Sequence, residues 1–283
     1  MLNMDIIRDS YQSLRNELVK RNHPELLPPY KAVHDASEKC SPSDSALILT
    51  ESDVQISIQA LLDITLARMI EIDDVKKALL RSESSDSTTI HLEMVCKWGF
   101  DGSSGHSRYK QKTTGEMTDG SIFLSCFAPL RSTKISAGSQ EKNDILWMNP
   151  APSLTRYCRP IGFRFEKETA ELITSHFKEI QEDIETLRPN VINITDTIKV
   201  QCQYKLFPSM VDAGTLTEEA QESRNKDLRR FCEAHARKFS REAANKDIIK
   251  RFLTTSDPLI SSIRQPQVNS LLPTKEMKTL LLD

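Results

Sequence analysis

The chain has 283 residues, enough for one large domain or two ordinary ones. With 38% hydrophobic and 28% charged residues it does not have the composition of a fully disordered chain. A net charge of −2 means that any nucleic-acid binding must rest on basic residues concentrated locally. Glycine occurs only 8 times, which argues against collagen-like or repeatedly glycine-looped architectures. No apolar run approaches the ~18 residues of a membrane span, so no membrane partner is expected. Residues 1–5 carry no basic region leading into an apolar one, so no secretory leader is expected. Cys40, Cys96, Cys126, Cys158, Cys202 and Cys232 are far apart and form no CxxC pair. They read as buried thiols in a reducing compartment, cytoplasm or nucleus, and not as a disulfide frame or a zinc cluster.

In chain order, residues 5–20 read as a helix through Ile7, Tyr11, Leu14 and Leu18. Pro24, Pro28 and Pro29 stop it. A polar stretch leads to a second helical region, about 54–81, with Ile58, Leu61, Leu62, Leu66, Met69 and Ile70 on its apolar face. Residues 82–87, rich in Ser and acid, mark a boundary. The period then changes to two: Ile90, Leu92, Met94, Cys96 and Trp98 alternate with more polar neighbours, predicting a strand that ends in a loop at 101–105. Further strands are expected at 122–128, at 144–148 or 161–165, and at 198–206, where Ile198, Val200, Cys202, Tyr204 and Leu206 alternate with polar residues. Between the last two, Ile173, Phe177, Ile180, Ile184 and Leu187 predict a helix over 166–187 that Pro189 ends. Thr215, Leu216, Thr217 and Glu218 fit a capping box opening a helix to about 241, with Leu228, Phe231, His235 and Phe239 on its apolar side. A shorter helix is expected at about 246–253, and the stretch from Asp257 reads as a polar tail. The order is α/β behind a helical N-terminal region.

Two features carry chemistry. An aspartate follows each of the two best strands, Asp101 and Asp212, and Glu222 lies in the helix after them. Sites in α/β sheets sit at strand ends, and three converging carboxylates make a hard-oxygen site for Mg²⁺. On pattern alone Asp101 and Asp212 read first as turn residues before Gly102 and Ala213-Gly214, and Glu222 as a solvated helix acid. The second feature is basic: residues 224–251 hold ten Lys/Arg against four acids, a local balance of +6. Lys226, Arg229, Arg230, Arg237, Lys238 and Arg241 are the candidate phosphate contacts; a solvated helix face is the alternative.

The run Lys97-Trp98-Gly99-Phe100-Asp101-Gly102-Ser103-Ser104-Gly105-His106-Ser107 resembles the first catalytic-aspartate block of Transib transposases, relatives of the vertebrate V(D)J recombination-activating protein. The resemblance continues through Asn149-Pro150-Ala151-Pro152-Ser153 and Cys158-Arg159-Pro160-Ile161 to Asp212. It resumes at Glu222-Ser223-Arg224-Asn225-Lys226-Asp227-Leu228-Arg229-Arg230-Phe231 and again at Ser256-Asp257-Pro258-Leu259-Ile260. It implies an RNase H-like DDE core with Asp101, Asp212 and Glu222 as the catalytic, Mg²⁺- or Mn²⁺-binding acids. It further implies nicking, hairpin formation and strand transfer on double-stranded DNA by a nuclear homodimer. The expected organisation is a helical pre-core region at 1–87, a core at 88–253 and a polar tail at 254–283.

The chain departs from that family at one place. Only the nine residues 213–221 separate Asp212 from Glu222, where the family has a long stretch with a further strand and a zinc-bearing insertion domain. The expected core is therefore incomplete, without a zinc site and with impaired activity. A non-catalytic DNA-binding remnant and an incomplete gene model of an active transposase are the alternatives.

Overall fold

The computed structural model describes residues 8–81, 88–104, 120–135, 144–208, 218–234 and 240–263. Its first helices are α1 (Arg8–Lys20) and α2 (Tyr30–Glu38), followed by a 3-10 turn at Asp44–Ala46. The prolines do not end α1, which stops at Lys20 beside Asn22 in the left-handed region at φ 62°; Pro29 instead precedes α2, taking an extended φ of −55° and ψ of 142° at its N-cap. Two short strands that no period predicts come next, β1 (Leu47–Leu49) and β2 (Asp53–Ile56). The helical region then divides into α3 (Ile58–Ile70), capped by Ser57 Oγ accepting from the Ala60 N–H, and α4 (Asp73–Leu80). The apolar face expected for α3 is its buried face, Leu61 and Leu62 being fully buried.

The centre of the fold is β3 (Thr88–Ser104), which pairs antiparallel with β4 (Ser121–Lys134) on one side. After β5 (Ile145–Met148) and a 3-10 turn at Thr155–Tyr157 come β6 (Arg159–Arg164), α5 (Ala170–Glu185), β7 (Asn190–Asn193) and β8 (Ile198–Pro208). Three helices follow: α6 (Glu218–Ala234), α7 (Arg241–Thr255) and α8 (Pro258–Ile263). Strand order is β1-β2-β6-β4-β3-β8-β7, with β5 paired to β4. Among the described residues β3 and β8 run parallel and every other pair is antiparallel, which makes a mixed α/β fold around a curled sheet.

Two prolines mark where the ladder slips. Pro129 sits opposite Cys96 at the register shift between β3 and β4, and Pro160 opposite Cys126 at the shift between β4 and β6. Proline cannot donate to a ladder, so it sits where a bulge removes the need. Both segments offered as alternatives in the sequence, 144–148 and 161–165, contain strands, and β7 was not anticipated.

Several boundaries move. The loop expected at 101–105 is strand through Ser104, because β4 continues the pairing to Ser104 opposite Ser121 and the ladder overrides local turn preference. The inward stripe of α5 is Leu172, His176 and Ile180, one residue off the expected Ile173 and Phe177; His176 takes a core position by setting its ring edge-on to Phe123, centroids 5.3 Å apart. The helix expected to reach 241 is described as far as Ala234; residues 235–239 lie outside the described residues, and a separate helix, α7, begins at Arg241 after the N-cap Ser240. Residues 1–87 are not a purely helical layer, since β1 and β2 extend the sheet. The tail boundary at 254 also shifts: Asp257 is 0% exposed and paired with Arg68 of α3 at 2.8 Å, and α8 packs against α3.

Candidate functional site

Asp101 lies in β3 opposite Leu124 of β4, half-buried. Successive strand residues point to opposite faces, so Phe100 and Asp101 look opposite ways. Phe100 meets α5, its ring 6.0 Å from that of His176, while Asp101 meets α6: Asn225 Nδ2 donates to Asp101 Oδ2 at 2.5 Å. The two helices thus cover opposite faces of the sheet at this point.

The sequence of α6 explains the docking. Ala220, Gln221, Arg224, Asn225, Leu228 and Phe231 are buried and recur at helical spacing, so they form one face. Arg224 holds that face down. Its Nε donates to the Cys158 carbonyl at 3.1 Å, Nη1 to Thr255 Oγ1 at 3.0 Å, and Nη2 to the Thr155 carbonyl. Its guanidinium also lies 5.4 Å from the centre of the Phe252 ring. One turn on, Arg229 Nη2 donates to the Ser104 carbonyl at 3.1 Å. Arg224, gripping the 155–158 segment and Thr255, and Asn225 and Arg229, gripping the end of β3, together fix the rotation of α6.

Glu222 sits three residues before Asn225. Residues at that spacing are neighbours on a helix surface, about 5–6 Å apart at Cβ. Its side chain is 68% exposed and its Oε1 lies 3.0 Å from Lys226 Nζ. Asp212 lies outside the described residues. The parallel pairing of β3 with β8 ends at Trp98 opposite Pro208, three residues before Asp101 on one strand and four before Asp212 on the other. Among the described residues no three His, Cys, Asp or Glu side chains form a group that could hold a metal ion.

The basic patch divides. Lys226, Arg229 and Arg230 are exposed on α6, Arg230 lying 3.6 Å from Asp227. Arg237, Lys238 and His235 lie outside the described residues. Arg241 is a core residue and not a surface contact: it is 4% exposed, its guanidinium lies 4.2 Å from the centre of the Phe165 ring, and its Nε donates to the Glu51 carbonyl at 2.6 Å. Arg224, counted in the same basic stretch, is 1% exposed. Lys246 and Lys250 pair with Asp44 and Glu38 at 2.6 and 2.7 Å.

Two groups near Asp101 escaped the sequence reading. Asn225 carried no motif of its own. Glu168, in the segment before α5, lies against Gly102: a Cβ built on that glycine would sit 2.6 Å from Glu168 Cβ. Gly102 and Asp101 are adjacent in a strand, so Glu168 is on the other face and does not join Asp101. Beneath Asp101, burial pushes the Cys126 thiol well above its ordinary range, with Cys158 as its neighbour. All six cysteines are free thiols, five buried and Cys232 half-buried.

On the α5 face, a cavity of about 40 Å³ is lined by Asp53, Ser125, Arg164, His176, Glu179 and Asp183 among others. It is large enough for water and too small for an organic substrate. Burial raises the Asp53 carboxyl, while burial first and the Arg164 charge second lower His176.

No protein-family model and no curated protein sequence matches the chain.

Proposed function

We propose that the chain is a Transib-type DDE transposase derivative that acts on double-stranded DNA in the nucleus as a homodimer, with an RNase H-like core shortened between its second and third acids. The observation that carries this reading is the docking of α6 on the face of β3 that bears Asp101, with Glu222 one turn from the contact. An acid on the leading strand and an acid on a late helix over the same face is what DDE chemistry needs. The donor chemistry also fits: Asp101 and Glu222 offer only carboxylate oxygens, which suit Mg²⁺ or Mn²⁺. By resemblance Asp212 completes the set.

Asp101 and Glu222 would hold a divalent cation there, which would supply an activated water and neutralise charge on the phosphate. Asp101, held by Asn225, fixes one side of such a site. Glu222, paired with a lysine one turn away, is available from the solvent edge. Lys226, Arg229 and Arg230 project from the same helix and supply phosphate contacts.

The nine residues between Asp212 and Glu222 leave no room for a further strand or a zinc-bearing insertion. A shift of 1 Å in a catalytic constellation costs ~10²-fold, so the expected activity is low. The test is nicking of supercoiled DNA with Mn²⁺ at excess protein. The reading predicts slow nicking that Asp101→Ala abolishes; equal nicking by both proteins overturns the catalytic claim. The exposed basic side chains of α6 favour a second reading, DNA binding without cleavage, which predicts salt-sensitive binding and no difference between the two proteins in nicking.

A further inference from the structure

We propose that Asn225 is a positioning residue that orients the Asp101 carboxylate for a divalent cation and keeps the turn carrying Glu222 beside it. This inference rests on the metal-binding reading of Asp101.

Asn225 is 4% exposed, yet it interrupts the buried face of α6 among Ala220, Leu228 and Phe231 with an amide. Its Nδ2 faces Asp101 Oδ2 at 2.5 Å. That orientation is dictated by chemistry: an ionised carboxylate only accepts, so the amide nitrogen must face it and the amide oxygen must point away. The Asn225 Oδ1 is buried and has no hydrogen-bond partner among the described residues. Burying an amide that satisfies only one of its two ends is unfavourable for folding compared with an apolar side chain of similar volume. The amide is therefore explained by what it donates to, and what it donates to is Asp101.

The same contact has a second effect. Asn225 lies between the anchor made by Arg224 to the 155–158 segment and the anchor made by Arg229 to Ser104. It is the member of this series that reaches Asp101, and it is one turn from Glu222. Fixing the Asn225–Asp101 distance thus fixes how far the Glu222 backbone stands from Asp101. Hydrogen-bond donors to metal-ligating carboxylates act in this way in metal sites generally, and losing one costs ~10–100-fold in metal affinity or activity.

The test measures Mn²⁺ binding to the full chain, by the loss of the free-ion electron paramagnetic resonance signal, together with thermal unfolding. The proteins are wild type, Asn225→Leu, Asn225→Ser, Asp101→Ala and the double variant Asn225→Leu/Asp101→Ala. The inference predicts that Asn225→Leu weakens the Asp101-dependent Mn²⁺ affinity ~10–100-fold while melting at or above the wild-type temperature, and that it adds nothing in the Asp101→Ala background. A purely structural asparagine would lower the melting temperature and leave Mn²⁺ affinity alone. Should Asn225→Leu fail to fold, Asn225→Ser carries the same expectation for Mn²⁺. Wild-type affinity in the Asn225 variants, with binding lost in Asp101→Ala, overturns the role of Asn225 alone. No Asp101-dependent Mn²⁺ binding in the wild type overturns the metal-site reading with it.

Discussion

Replacing Asp257 with alanine should destabilise the chain severely, although the residue lies where the sequence reads as a polar tail. Asp257 is 0% exposed, and Arg68 grips its carboxylate with two donors, Nε at 2.8 Å and Nη2 at 3.2 Å. Its Oδ1 also accepts the Ile260 N–H at 2.9 Å, capping α8. A second fully buried guanidinium stands nearby: burial lowers Arg159 to about 10, and the Asp257 charge works against that fall. Removing one partner of a buried pair costs about 3–5 kcal/mol because the other charge stays buried, and losing a cap adds about 1 kcal/mol. Set against a total stability of about 5–15 kcal/mol, Asp257→Ala removes a large share of it. At roughly 2–4 °C per kcal/mol for a domain of this size, the melting temperature falls by about 10 °C or more. Urea unfolding with circular dichroism measures the loss; urea leaves charge interactions unscreened. Lys250→Ala, which breaks partly exposed pairs with Glu38 and Asp44, is the control and should cost less than about 1 kcal/mol. The double variant Arg68→Met/Asp257→Leu should recover much of the loss, since no guanidinium then remains buried at position 68 with only the half-exposed Glu71 to pair with it. An Asp257→Ala protein within about 1 kcal/mol of wild type would refute the reasoning and detach the 254–263 segment from the core.

Acid should weaken the fold through His176, whose pKa is lowered by burial and then by Arg164. Because the folded value lies below 6.5, the unfolded chain binds the extra proton, so this contribution is complete above pH 6.5 and is lost as pH falls below it toward the folded value. Asp53 and Asp183, raised from 3.8 by burial, have the opposite sign and act in the range just above that value. Urea midpoints measured just above and just below pH 6.5 should drop on acidification in wild type but not in His176→Phe, and equal slopes would sink the assignment. Gly102→Ala should cost about 1–3 kcal/mol by overpacking, because the new Cβ meets Glu168 Cβ at 2.6 Å; adding Glu168→Gly should restore part of it, and thermal unfolding of the two variants decides. For DNA binding, Lys226→Ala and Arg230→Ala should each reduce the slope of log K against log salt by about 0.9, measured by fluorescence anisotropy. Arg241→Ala should instead lower stability, since its guanidinium is stacked on Phe165 and bonded to Glu51.

Much of the sheet was readable from period alone. The alternation of Ile90 to Trp98 and of Ile198 to Leu206 predicts β3 and β8, whose register then sets Ile90 opposite Val200 and Leu92 opposite Cys202. Short strands were not readable: β1, β2 and β7 have three or four residues each, too few to establish a period, and form because a partner strand supplies the ladder. The polar interior was the main blind spot. Arg159, Arg224, Arg241 and Asp257 look like surface residues to any hydropathy pattern, yet each is buried and given partners from distant segments. This is also why the basic stretch overstated the charge available to DNA. At the candidate site, spacing identified Asp101 and Glu222 as acids of interest, while Asn225 is legible only once α6 lies on β3.

The most direct test of the account asks whether Asp101 and Glu222 share one metal ion. Fe²⁺ substituted for Mg²⁺ and treated with ascorbate and peroxide generates hydroxyl radicals at the ion, and these cut the nearby polypeptide. Mass spectrometry of the fragments should map cuts to the end of β3 and the first turns of α6, with both sets lost in Asp101→Ala. Cuts elsewhere, or a pattern unchanged by Asp101→Ala, would contradict a metal centre at this site and with it the proposed nuclease chemistry.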